Sequence, residues 1–166
     1  MDYQARILPT RECLTNVIAN AESRSDMASG IDLLLSLVAG ADMVRARIYG
    51  PLASEHDISE GKFSLLMALY GEGPKLSTDL AQSIGVKPAT VSVMVKRMLA
   101  APVPLVSSES VEGDGRARRI ALTQAGRDLV EAILPSHFEQ IHSMCEGLTV
   151  TERETLITLL RKLLKQ

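Results

Sequence analysis

Between Leu76 and Met98 the apolar positions fall into two short helical sets separated by Gly85. Leu76, Leu80, Ala81 and Ile84 form the buried stripe of a first helix, and Val91, Met94, Val95 and Met98 that of a second, with Pro88 two residues into it. The pattern predicts helix, tight turn, helix. Helices this short cannot bury enough surface to stand alone, so the flanking elements must back them.

Upstream, Cys13, Leu14, Val17 and Ile18 mark a short apolar interval in an otherwise polar stretch, and SRSDMAS from Ser23 reads as a flexible joint. From Ile31 to Tyr49 a stronger helical pattern carries Ile31, Leu34, Leu35, Val38, Asp42, Arg45 and Tyr49, and Gly50 and Pro51 stop it. Apolar residues lie on more than one side of it, which calls for a second contact surface such as a dimer partner. Ser59 caps the next helix, with Phe63, Leu66, Met67 and Tyr70, which ends at Gly71 to Pro74, and Ser77 caps the one after.

Downstream, Pro102 and Pro104 exclude a helix. A strand from Leu105 to Ser108, a turn over Glu112 to Gly115 and a return strand alternating Arg119, Ile120, Ala121 and Leu122 make a hairpin. Thr123 caps a long helix with Leu129, Ala132, Ile133, Phe138, Ile141 and Met144 as apolar positions, Pro135 as a kink and Gly147 as its end. Thr149 and Glu152 form a capping box for a final helix, where Leu156, Leu159, Leu160, Leu163 and Leu164 recur at coiled-coil-like spacing. So apolar a terminal helix suits an intersubunit seam.

Composition narrows the chemistry. With 166 residues, 3% aromatics and no Trp, the core is aliphatic and Met-rich, which favours packed helices over a sheet sandwich. No uninterrupted apolar run approaches membrane-spanning length and no leader pattern opens the chain, so a soluble cytoplasmic protein is expected, with no membrane partner. Cys13 and Cys145 form no ligand cluster and are expected to be reduced thiols. His56, His137 and His142 are assigned to the surface, and the five-residue spacing of the last two is poor for sharing a metal. No catalytic constellation, metal site or phosphate loop is visible, so neither an enzyme nor a cofactor is expected.

The net charge of −2 is uneven: residues 1–59 balance at −3, residues 60–123 at +2 and residues 124–166 at −1. The basic third coincides with the helix-turn-helix. On the outer face of its second helix stand Thr90, Ser92, Val93, Lys96 and Arg97, whose hydroxyls, methyls and cations suit a DNA major groove. Arg116, Arg118 and Arg119 on the hairpin suit phosphates or the minor groove.

These residues resemble the MarR family of bacterial transcription regulators. The resemblance runs from about Ile31 to Leu164, and its most specific parts are LSTDLAQSIGVKPATVSVMVKRM and the hairpin DGRARRIALTQAG, with Asp-x-Arg followed by Leu-Thr-x-x-Gly. It implies a mainly α chain with a small β-hairpin wing: a winged helix-turn-helix lobe over residues 59–123, and dimerisation helices over residues 1–58 and 124–166 of a single domain. It also implies a homodimer on a palindromic operator in double-stranded DNA, with a small aromatic or anionic effector that releases it. By the family pattern Asp114 holds the wing and Arg116 reaches the minor groove.

The chain departs from the pattern at Lys87, a poor N-cap whose charge opposes the helix dipole unless a phosphate lies near, and at Val93, where relatives often have Arg. Ser107, Ser108 and Glu109 stand where basic residues are common, and Pro102 to Pro104 is about two residues longer than usual. These changes predict weaker electrostatic binding. Two readings follow: a DNA-binding repressor, or an adaptor or antirepressor that kept the fold while its DNA face lost charge.

Overall fold

A computed structural model of the chain describes residues 8–17, 24–111 and 114–165, and within these the side chains of all but residues 17, 24, 25 and 114–116. The chain divides into two units, Met1–Ile58 and Ser59–Gln166.

In the first unit, Thr10 caps a short helix α1 (Arg11–Val17), accepting at its hydroxyl from the Cys13 amide at 3.2 Å. Leu14 is its buried anchor, and Arg11 pairs with Asp32 of the next helix at 3.1 Å. That helix, α2 (Arg24–Val44), already includes most of the SRSDMAS stretch read as a joint, and Ala28 is buried there; Ile18 and Ser23 lie outside the described residues. Polar residues in a first helical turn and a flexible joint share the same composition, so the sequence does not separate them.

Gly50 and Pro51 do not stop the helical path. Arg45–Tyr49 form a π turn, in which the Gly50 amide reaches back to the Arg45 carbonyl, and α3 (Gly50–His56) continues with Pro51 in its first turn. Inside a continuous helical path a proline removes one amide proton and crowds the carbonyl four residues back. The wider π turn absorbs the change of register. Termination comes at Asp57, in the left-handed conformation at φ 53°, where the Ile58 amide closes on the Leu52 carbonyl at 3.1 Å.

The consequence is a helical run Asp26–His56 of 31 residues, apolar and long enough to cross a membrane, contrary to the expectation from the broken pattern. Asp32 and Asp42 on it would each cost about 2.5–3.5 kcal/mol in a bilayer. Ile31, Leu33, Leu34 and Val38 are all exposed along α2.

The second unit is a mainly α lobe with a small antiparallel sheet, a winged helix-turn-helix. Ser59 caps α4 (Glu60–Glu72), accepting from the Lys62 amide, and α4 buries Phe63, Leu65, Leu66 and Leu69. Then come β1 (Lys75–Leu76), α5 (Ser77–Ser83), α6 (Pro88–Leu99), β2 (Val106–Val111) and β3 (Asp114–Leu122), with the sheet in the order β1-β3-β2. Strand β1 has no counterpart in the sequence pattern, because two residues carry no period. Its pairing, Lys75 with Ile120 and Leu76 with Arg119, defines it. That pairing holds Leu76 extended, so Leu76 occupies the cap position of α5 and Ser77 is already helical; Ser77 provides no cap. Leu80, Ala81, Val91, Val95, Met98, Val106 and Ile120 close the core under the sheet.

Thr123 caps α7 (Gln124–Cys145), which runs unbroken through Pro135. Its hydroxyl accepts from the Gly126 amide at 3.1 Å and donates to the Pro104 carbonyl at 2.7 Å, while its own amide reaches the Leu105 carbonyl at 3.1 Å. A Cβ on Gly126 would overlap that Leu105 carbonyl. The Leu-Thr-x-x-Gly sequence is thus a packing requirement at the wing base.

Of the apolar positions read along α7, Ile133 is buried together with Gly126, Val130 and His137, while Ala132, Phe138 and Ile141 are exposed. His137 is therefore no surface histidine. Its ring lies 4.6 Å from that of Phe63, and its Nδ1 is buried with no hydrogen-bond partner. Burial pushes its pKa below 6.5. His142 is exposed, 3.7 Å from Glu146.

The last helix, α8 (Val150–Leu164), begins with the anticipated capping box: the Thr149 amide donates to Glu152 at 2.8 Å and the Glu152 amide to the Thr149 hydroxyl at 3.3 Å. The Thr149 backbone bond, then its hydroxyl, hold the Glu152 carboxyl below its usual range. No residue of α8 is buried within the chain, although Leu156, Ile157, Leu159, Leu163 and Leu164 lie on it.

Gly126→Ala is expected to destabilise the lobe by about 1–3 kcal/mol, since the Leu105 carbonyl must move. A thermal midpoint equal to wild type would refute that packing role. For His137 the native state takes up a proton less readily than the unfolded chain, so stability falls as pH drops through 6.5 and the decline levels off below the native pKa. His137→Phe should show a smaller fall in thermal midpoint between about pH 7 and pH 5 than wild type; equal falls would mean the imidazole does not titrate against folding.

Candidate nucleic-acid interface

The turn between α5 and α6 is set by backbone bonds: the Ile84 amide to the Leu80 carbonyl at 3.0 Å, and the Val86 amide to the Ala81 carbonyl at 3.0 Å. Gly85 crosses the left-handed region at φ 68°, where a side chain would be strained. Lys87 follows in extended conformation at the cap of α6, with no side-chain hydrogen bond, and Pro88 is the first helical residue, one position earlier in the helix than the sequence suggested. The proline position costs no hydrogen bond. Lys87, by contrast, leaves the amide end of α6 without a side-chain acceptor, which favours an anion there.

Val91, Val95 and Met98 bury the inner face of α6, and Met94 is half-buried. Thr90, Ser92, Val93, Lys96 and Arg97 are all exposed, as their spacing requires, and Val93 exposes 51% of its surface. Lys96 and Arg97 fall in the last turn, where the helix dipole favours cations. The Ser92 hydroxyl donates to the Pro88 carbonyl at 3.0 Å.

The wing runs from Val106 to Leu122, with Ser107 opposite Ala121, Ser108 opposite Ile120, Glu109 opposite Arg119 and Ser110 opposite Arg118. The register shifts after Ser110, so that Val111 faces Asp114. The turn residues Glu112 and Gly113 lie outside the described residues, while Asp114 and Arg116 are placed on β3 by their backbones alone. Arg118 and Arg119 are exposed. The Arg118 guanidinium is bound across the strands to Ser108 and Ser110, a use of those serines that residue types alone did not suggest. Their two-residue spacing opposite an arginine is the signal that could have found it.

A cleft of about 210 Å³ separates α6 from the wing, with Ser92, Val95 and Lys96 on one side and Ser108, Arg118 and Ile120 on the other. The lobe therefore presents an exposed helix of small polar, methyl and cationic groups beside a two-stranded ribbon carrying further cations. Such a face can read base edges with the helix and hold phosphates with the ribbon.

Comparison with known proteins agrees with this geometry. The family model described as MarR family matches residues 58–102. The HTH-type transcriptional repressor YetL of Bacillus subtilis is 32% identical over 111 residues, which is 66% of this chain and 65% of YetL's own length. The HTH-type transcriptional repressor NicR of Pseudomonas putida is 30% identical over 118 residues, 70% of this chain and 73% of NicR. Among solved structures, Bordetella bronchiseptica BpsR, whose DNA binding is regulated by 6-hydroxynicotinic acid, superposes with a TM-score of 0.67 at 26% identity, covering 79% of this chain and 98% of BpsR. Sequence and fold thus converge, and the chain belongs to the MarR family of transcriptional regulators, which are not enzymes.

Proposed function

We propose that this protein is a sequence-specific DNA-binding repressor that acts in the cytoplasm as a homodimer on a palindromic operator. The observation that carries the reading is the exposed face of α6, where Thr90, Val93 and Arg97 recur at helical spacing beside the Arg118 and Arg119 of the wing. Thr90, Ser92 and Val93 address base edges in the major groove, while Lys87, Lys96 and Arg97 meet phosphates. On the wing, Arg116 enters the minor groove with Arg118 and Arg119 nearby, and Asp114 fixes the wing without contributing a cation.

Dimerisation is supported by α8, none of whose residues is fully buried within one chain, and by the exposed Ile31, Leu33, Leu34 and Val38 of α2. A second copy of the chain is a better cover for α2 than a lipid bilayer, because Asp32 and Asp42 would be desolvated there. In this reading residues 1–58 and 124–166 supply the seam and residues 59–123 the DNA-binding lobe.

A small aromatic acid is proposed as the effector that releases DNA. BpsR supports that ligand class through its regulation by 6-hydroxynicotinic acid. A ligand favouring the form with the wrong spacing between recognition helices lowers operator affinity by its preference for that form.

In salt titrations on the operator and a scrambled duplex, Arg116→Ala should weaken binding to both and flatten the log-log salt slope by about one unit for each phosphate that a subunit no longer neutralises. Val93→Ala should keep the slope and relax preference at one base pair per half-site by roughly 1 kcal/mol. No duplex binding by the wild-type protein at low salt would instead favour the adaptor reading. Removing residues 150–166 should abolish the soluble dimer, because part of the proposed seam would be lost and the apolar surface that remains would be left uncovered. A folded, monodisperse monomer in sedimentation would reject that seam.

A further inference from the structure

Arg118 is exposed, yet its guanidinium is held by hydrogen bonds across the wing. Nε donates to the Ser108 hydroxyl at 3.1 Å, Nη1 to the Ser110 hydroxyl at 2.8 Å and Nη2 to the Ser108 carbonyl at 3.3 Å. An exposed arginine on a solvated ribbon ordinarily samples many rotamers, and fixing it costs side-chain entropy. Serine is also a weak strand former compared with threonine or valine. The wing therefore commits two strand positions to short hydroxyls that face one cation. Burial does not explain it, because the group is solvated.

The position of the cation does explain it. Arg118 lines the cleft of about 210 Å³ between wing and α6, and Lys96 and Ser92 line the same cleft from the helix. Donors on both Nη atoms remain beyond those committed to the serines. Two cations from different elements line one cleft whose other walls are largely apolar, and together they suit an oxyanion with several acceptor oxygens.

We infer that Ser108 and Ser110 are positioning residues for DNA binding: they hold Arg118 facing Lys96, so that recognition helix and wing take one backbone phosphate between them. The inference rests on the DNA-binding reading and adds to it the fixed geometry of one phosphate seat. It also gives Ser108, which stands where basic residues are common in the family pattern, a use of its own.

The test is a double-mutant cycle on a duplex bound by the full-length protein, with S108A/S110A, R118A and the triple change, each checked for an unchanged thermal midpoint. S108A/S110A should weaken binding about five- to tenfold while keeping the salt slope, since no charge is removed. R118A should weaken it at least as much and flatten the slope by about one unit per subunit. The triple variant should match R118A alone. S108T/S110T should restore binding, and R118K should behave like S108A/S110A, because an ammonium cannot span both hydroxyls and the phosphate.

Equal effects of the serine changes with and without Arg118, or no effect at all, would overturn the positioning role while leaving DNA binding intact. A wild-type protein that binds no duplex at low salt would remove the DNA reading and the phosphate seat together. Potassium phosphate should displace DNA better than potassium chloride of equal ionic strength, and the excess should vanish in R118A. Phosphate binding that needs Arg118 while R118A leaves duplex affinity unchanged would assign the cleft to a free oxyanion and overturn the DNA assignment.

Discussion

The placement of the wing depends on the close approach of two backbones at its base. The Leu105 carbonyl accepts from the Thr123 amide, and Gly126 lies so near that carbonyl that no side chain fits between them. The Thr123 hydroxyl, bonded to Pro104 on one side and to the Gly126 amide on the other, holds the same point. Entry to β2, exit from β3 and the amide end of α7 are thereby joined at one place. Beyond it the ribbon is held by its own ladder, its cross-strand side chains, the short β1 strand and the packing of Val106 and Ile120 into the core beside α5 and α6.

Much of the lobe could be read in the sequence because its signals are local. A serine or threonine before an apolar period names a helix start, as Ser59, Thr123 and Thr149 do, and a glycine between two short periods names the turn at Gly85. Two of the misses have a different cause: the deciding partner is distant in sequence. Strand β1 exists through β3, and its pairing displaces the start of α5 past Ser77. His137 is buried because of where α7 meets Phe63, and a polar side chain within a partly apolar helix does not announce that. Passage through Gly50 and Pro51 required a π turn, which no single residue encodes.

The candidate interface was legible at the level of residue types and not of their commitments. Thr90, Val93, Lys96 and Arg97 follow from period and charge, and all are exposed. The three arginines of the wing look equivalent in the sequence, yet Arg118 is committed to two serines across the ladder while Arg119 stands opposite Glu109. Cross-strand register separates them, and register emerges only when the bulge after Ser110 is known. The charge balance of −2 for the whole chain says little about a surface assembled from so few groups.

Ser92 illustrates how an internal bond edits an external vocabulary. Its hydroxyl proton is directed to the Pro88 carbonyl, one turn back on α6. In that rotamer the oxygen has only lone pairs to offer a neighbouring base. Serine is ordinarily ambivalent in a major groove, able to donate or to accept. Held this way it can meet the amino groups of cytosine or adenine, and it has no proton for the carbonyl oxygens of guanine or thymine. In the proposed DNA complex such a residue would act as a discriminating letter, through a hydrogen bond that never leaves its own helix.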